Sequence, residues 1–148
     1  MITVQTNLID VIDRIKKEWL TKDAQIEVNE DIANTLRNAI STRIHSRGEA
    51  SDGSQIGTYS DSYARMRRNM EPPLQTSYVD LRVYGELQSS FVVERSGNTS
   101  YSIGFDNSED ADIAGYMEEH FGKDIWEPST QELQQIDRIL ADRLNKTI

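Results

Sequence analysis

VNEDIANTLRNAISTRIHSRG, residues 28–48, places Val28, Ile32, Leu36, Ala39 or Ile40, and Ile44 on one stripe of an α-helix. Apolar residues three or four apart share a face because each helical residue turns the chain by about 100°. Gly48 follows Arg47, where a left-handed residue commonly ends a helix. Five such side chains, at roughly 1.5–3 kcal/mol each when fully buried, give about 10 kcal/mol of gross burial. The spacing predicts a core helix over residues 29–47, against which the rest of the fold must pack.

Working outward, Leu8, Ile12, Ile15 and Trp19, with Val11 beside them, predict an amphipathic helix over residues 7–20 with Asn7 as its cap. Downstream, GEASDGSQIGTYSDSYARMRRNMEPP shows no sustained period before Tyr63. Residues 48–80 therefore read as a long loop with a short helix at 61–69, and long loops in compact domains are commonly functional or disordered. In VDLRVYGELQSS the helical spacing of Leu81, Tyr84 and Leu87 is interrupted by Gly85, so a short helix or turn is expected. SFVVER and SYSIGF, joined by SGNT, predict a β-hairpin over residues 90–105, with Phe91 and Val93 on one face and Tyr101, Ile103 and Phe105 on one face.

A helix over residues 109–121 follows, with acidic residues in its first turn and Gly122 as its stop. Pro128 and then Ser129-Thr130-Gln131-Glu132 form a capping box that opens a C-terminal helix over residues 129–146. Its apolar face is Leu133, Ile136, Leu140 and Leu144, which leaves Asp137, Arg138, Asp142 and Arg143 largely outside. The fold class is α+β in a single domain, residues 1–148: long amphipathic helices packed on a small antiparallel β-sheet, with a long loop. A lone hairpin is marginal in water, so this one must pack on the helices or join strands of another chain.

Composition narrows function. The absence of cysteine excludes disulfides, thiolate nucleophiles and cysteine-held metals, and two histidines, His45 and His120, leave little for other transition-metal sites. The net charge of −9 opposes generic binding to nucleic-acid phosphates. Residues 1–95 hold 12 Lys/Arg against 14 Asp/Glu, whereas residues 96–148 hold 4 against 11, an asymmetry that favours head-to-tail assembly or simply a solvated acidic face. No apolar run approaches the roughly 18 residues of a membrane span, and MITVQTNLID lacks a basic start, so the chain is expected to stay in the compartment where it is made.

Motifs that would carry chemistry are incomplete. GEASDGS has the glycine separation of a phosphate loop without its lysine, and as a calcium loop it would put Gly48 where a carboxylate is needed. Asn98-Thr99-Ser100 and Asn145-Lys146-Thr147 match the glycosylation triplet, which carries no weight without a secretory signal. Glu118, Glu119 and His120 are consecutive, so on a helix they point apart rather than converge. No catalytic, cofactor-binding or metal residue is assigned and the chain is not expected to be an enzyme; the alternative is a small enzyme using His120 with nearby carboxylates. Arg65, Arg67 and Arg68, with Tyr59 and Tyr63, form the one concentrated basic and aromatic feature. They are candidate subunit or partner contacts, through salt bridges to acidic partner surfaces, or nucleic-acid backbone contacts, or an ordinary solvated arm.

The order of several short motifs adds to this reading. They are Asp52-Gly53 with Ile56-Gly57 and Tyr59-Ser60; Leu81 to Ser90 with Gly85 and Leu87; Ile113-Ala114; Phe121-Gly122; and Ile125-Trp126-Glu127-Pro128-Ser129. In this order the chain resembles the phage virion morphogenesis or tail-completion family over about residues 29–144. It departs from the family pattern at Tyr84, where a threonine is usual, and in the spacing into Phe121-Gly122. The first helix reads as an addition to that pattern. Gly53, Gly85, Leu87, Phe121, Gly122, Trp126, Pro128 and Ser129 are then structural landmarks. The resemblance implies a structural virion protein, made and assembled in the host cytoplasm, with another phage assembly or adaptor protein as the alternative. It would close with its own copies into a ring, commonly hexameric, at the head–tail junction or tail end. Neighbouring connector, portal-adaptor or tail-tube proteins would be its partners, with DNA passing through the lumen unread. The acids of residues 106–127 would then face the channel and repel DNA phosphates.

Overall fold

A computed structural model describes residues 2–3 and 21–147. The helix expected at 7–20 lies outside the described residues. The elements are β1 (Ile2–Thr3), α1 (Lys22–Arg47), α2 (Asp61–Arg68), α3 (Glu86–Ser90), β2 (Phe91–Arg95), β3 (Tyr101–Phe105), α4 (Ser108–Phe121) and α5 (Thr130–Thr147). Helices packed on a small antiparallel sheet make this an α+β fold, as the sequence patterns predict.

The core helix begins earlier than its apolar stripe. Thr21 caps α1 by accepting a hydrogen bond from Ala24 N at 3.2 Å. Residues 22–27, KDAQIE, form two helical turns whose only branched apolar side chain, Ile26, is half-buried, so periodicity did not mark them. Leu36, Ile40 and Ile44 are completely buried at the centre of the core. At the other end Gly48 adopts φ +64°, and a Cβ there would stand 2.5 Å from Tyr78 Cδ2 and 2.6 Å from Val79 O. The stop is therefore also a packing contact that only glycine permits.

β2 and β3 pair antiparallel with Phe91 opposite Phe105 and Val93 opposite Ile103. Ser90, expected in the hairpin, instead ends α3. β1 adds a short third strand, Ile2 opposite Ile103, giving the order β1-β3-β2. Two residues carry no period, so the sequence could not announce this strand. The sheet packs on α1, α5 runs along α1, and α4 lies against β3 and α3.

The corner between α4 and α5 closes the core. Trp126 packs on Phe91 and edge-on against Phe105, with ring centroids 5.3 and 4.9 Å away, and its indole N–H donates to Ala114 O. Glu118 accepts from Ile125 N at 3.0 Å, and partial burial holds its carboxyl above the usual range. Gly122 ends α4 at φ +65°. The capping box forms reciprocally: Glu132 N donates to Ser129 Oγ at 3.2 Å and Ser129 N to Glu132 Oε1 at 3.0 Å. Of the expected α5 face, Ile136 and Leu140 are buried and Leu133 is half-buried, while the side chain of Leu144 lies outside the described part. Asp137 is half-buried rather than outside, and Arg143 pairs with Asp31 of α1.

Candidate functional site

The segment read as a long loop is built into the fold. Glu49 and Gln55 form an isolated antiparallel bridge, and Asp52 Oδ1 accepts from Ser54 N and Oγ, closing the turn that carries Gly53 in a left-handed conformation. Ile56 is buried, and Gly57 backs onto Phe121: a Cβ at 57 would lie 2.6 Å from the Phe121 ring. Two motifs 64 residues apart thus meet across the molecule. Ser60 caps α2, the short helix expected there, by accepting from Tyr63 N.

Arg67 departs from its expected role. It was a candidate for partner contact, yet it is 1% exposed, with its guanidinium 4.5 Å from the Tyr59 ring centroid and 5.9 Å from that of Tyr63. It donates to Gln75 O and Arg82 O at 2.9 Å each and to both Asp80 oxygens at 3.1 and 3.3 Å. Asp80 also accepts from Tyr59 Oη at 2.8 Å, Gln75 Nε2 at 2.7 Å and Arg82 N at 3.0 Å. This saturated carboxylate is the hub that folds residues 69–85 onto α2. Burial pushes the Tyr59 phenol above its ordinary pKa, so it stays a donor to Asp80. Arg65 and Arg68, on the outer side of α2, are exposed and remain available to a partner.

Immediately after the hub, Leu81 holds φ +51°, rare for a residue with a branched side chain, and Gly85 turns the chain at φ +82° to start α3. These two turns aim Leu81 and Leu87 toward α4 and leave a groove of about 600 Å³ between α2, α3 and α4. Tyr59, Tyr63, Leu81, Leu87, Met117 and Phe121 form much of its wall, so five residues singled out in the sequence share one surface with Met117. Its rim carries three of the large exposed hydrophobics: Tyr84 at 79%, Tyr116 at 73% and Ile113 at 36%. Tyr84 and Tyr116 were not singled out as contacts; their signal was an aromatic placed off the core stripe of its element.

His120 is exposed at the groove edge, 4.7 Å edge-on from the Phe121 ring. Glu118 is turned to the corner instead, toward Ile125 N, so the consecutive acids and the histidine are not brought together. Among the described residues no group of three or more His, Asp or Glu is placed to hold a metal ion. The other histidine is inside: His45 donates from Nδ1 to Asp80 O at 2.8 Å, and burial lowers its pKa from 6.5. A second cavity, about 750 Å³ and polar, lies between α1 and the start of α5, where Arg43 meets Glu132.

The site is thus a largely apolar, aromatic groove with His120 at its edge, of the kind that can bury apolar groups. Comparison with models of known protein families, with curated proteins and with solved structures found no match for this chain.

Proposed function

We propose that this chain is a structural subunit of a tailed phage or prophage particle, one of several copies that close a ring at the head–tail junction or tail end. The observation that carries the reading is that two surfaces fit for association are covered by none of the described residues. The aromatic rim of the groove is one. The outer edge of β2 is another: β2 pairs only with β3 among the described residues. Ser90 O and Ser96 N bond toward β3, so by antiparallel alternation the N–H and C=O groups of Val93 and Arg95 face outward. A neighbouring strand can take up those groups, and a heterologous contact that closes makes a ring. The resemblance in motif order supplies the phage context, and its landmarks Gly85, Phe121, Trp126 and Ser129 all serve architecture. The net −7 of residues 96–148 suits a ring through which DNA must slide without sticking.

The test is genetic and visual. Deleting the gene from the phage or prophage that encodes it is expected to give separate filled heads and tails in negative stain, with purified protein forming rings. Normal joined particles from the deletion, or a protein strictly monomeric at about 10 µM in mass photometry, would refute the reading.

A further inference from the structure

We propose that the sheet continues from copy to copy: the outer edge of β2 takes the outer edge of a neighbour's β1 in a parallel pairing that sets the neighbour's Thr3 beside Glu94. This names the strand that fills the edge and rests on the reading that the chain assembles with itself. The backbone leaves a matching gap on each edge. Along β3, Ser100 O and Asp106 N bond toward β2, so by antiparallel alternation residues 101, 103 and 105 turn their N–H and C=O groups toward β1. Ile2, paired with Ile103, therefore bonds to β3, and the N–H and C=O of Thr3 face outward. On β2 the outward residues are Phe91, Val93 and Arg95, but Phe91 O already accepts from Arg37 Nε. The free part of that edge is Val93 and Arg95.

In a parallel ladder one residue bonds to the two that flank its partner. Thr3 placed beside Glu94 donates its N–H to Val93 O and accepts from Arg95 N, so a single register joins the two gaps. The same register aligns the sequence. Within the chain Ile2, Ile103 and Val93 stand in one row, and Thr3, Ser102 and Glu94 in the next. The neighbour's Ile2 then follows Val93 and its Thr3 follows Glu94, apolar after apolar and polar after polar. An antiparallel approach of β1 breaks this match, because the outward Thr3 must then stand opposite Val93 or Arg95, which leaves Ile2 opposite Glu94 or Ser96.

Charge and distance select the neighbour's β1. Two β2 edges related by a two-fold axis, in the register that uses both Val93 and Arg95, set the exposed Glu94 against its own copy. Like charges directly opposite destabilise a strand pair. The chain's own β1 cannot reach the free edge of β2: β3 lies between them, which puts Thr3 and Glu94 about 9.6 Å apart at roughly 4.8 Å per strand. A contact between these two unlike edges is heterologous and can close as a ring.

The chain contains no cysteine, so introduced ones report the pairing. Thr3→Cys and Glu94→Cys are made separately, mixed, oxidised and run on non-reducing gels beside the double variant. Partners on adjacent strands lie within disulfide reach, whereas the separation of about 9.6 Å within one chain exceeds the limit of roughly 7 Å. The expected result is a linked dimer from the mixture, none from either single variant, and a ladder of linked oligomers from the double variant. Glu94→Cys linked to itself would show two-fold pairing and overturn the proposal. Absence of linkage while sedimentation velocity shows oligomers overturns it but leaves self-assembly standing. Absence of both linkage and oligomers sinks the two readings together. Proline variants test the hydrogen bonds themselves. Thr3→Pro and Arg95→Pro each remove an outward N–H and no bond to β3. Each is expected to be monomeric alone and to form a one-to-one dimer with the other, while Arg95→Ala assembles as the natural chain does. Folded proline variants that still assemble like the natural chain overturn the proposal.

Discussion

Replacing Arg67 by alanine tests whether its side chain is a clamp inside the subunit or a contact between subunits. Truncation removes donors to Gln75 O, Arg82 O and Asp80 and leaves the Asp80 carboxylate, 5% exposed, without its counter-charge. Breaking a buried pair from one side costs about 3–5 kcal/mol. Asp80 keeps the hydrogen bonds from Tyr59, Gln75 and Arg82 N, which favours the lower end, about 3 kcal/mol. Asp80→Ala strands the guanidinium in the same way and is expected to cost a similar amount. Arg67→Ala with Asp80→Ala strands neither charge, so its cost should fall short of the sum of the single variants by about 2 kcal/mol. With a urea slope of about 2 kcal/mol per molar, each single variant lowers the midpoint by roughly 1.5 M. Should the two effects add, or each stay below about 1 kcal/mol, the clamp is wrong. A variant with an unshifted monomer midpoint but weakened assembly would restore Arg67 to the role of partner contact.

Two further outcomes are expected. His45 is buried and holds its proton poorly, so below pH 6.5 the unfolded chain takes up a proton that the folded chain resists. Its share of stability is therefore present above pH 6.5 and lost as pH falls below it, and urea midpoints between pH 7.5 and 5.5 should drop more steeply for the natural chain than for His45→Gln; equal slopes would contradict this. Gly48→Ala meets the Tyr78 ring and Val79 O as well as the left-handed φ, whereas Gly122→Ala meets only the φ, with nothing within 4 Å of its Cβ. Thermal unfolding should show a loss of about 1–2 kcal/mol for Gly122→Ala and clearly more for Gly48→Ala; equal losses would show that the close approach at Gly48 relaxes freely.

What the sequence made legible was whatever repeats or punctuates. The stripe from Val28 to Ile44, the glycine stops, the capping box at Ser129 and the hairpin alternation are local signals, and each appears where its period or its cap puts it. The α1 start at Lys22 was hidden because its first two turns face partly outward and hold few apolar residues. The groove was harder to see for a different reason. Its walls come from α2, α3, α4 and the turn at Leu81, and its shape depends on Gly57 meeting Phe121 and on Arg67 meeting Asp80, contacts without any period. Tyr59 and Tyr63 were noticed for their closeness to the arginine cluster; their partner in space is the one arginine of the three that turns inward.

That inward turn follows a rule that explains how so irregular a chain stays closed. Arg37, Arg43 and Arg67 donate to seven backbone carbonyls: Phe91, Gln88, Glu49, Ile125, Glu127, Gln75 and Arg82. These carbonyls belong to turns, a short helix and a strand edge, where no regular ladder is available to satisfy them. A guanidinium suits this task because its five donors lie in a fixed plane and its charge is balanced once, by Glu132 for Arg43 and by Asp80 for Arg67. A lysine at 67 would keep the charge and lose the fork, so it should fail to hold Gln75 O, Arg82 O and Asp80 together. The consequence reaches the surface. Because the turn through Leu81 is fixed from within, the groove is shaped by the fold itself, and a group entering it would find the receiving side already ordered. A floppy loop of the same composition would have to be ordered on contact, which would weaken the contact it makes.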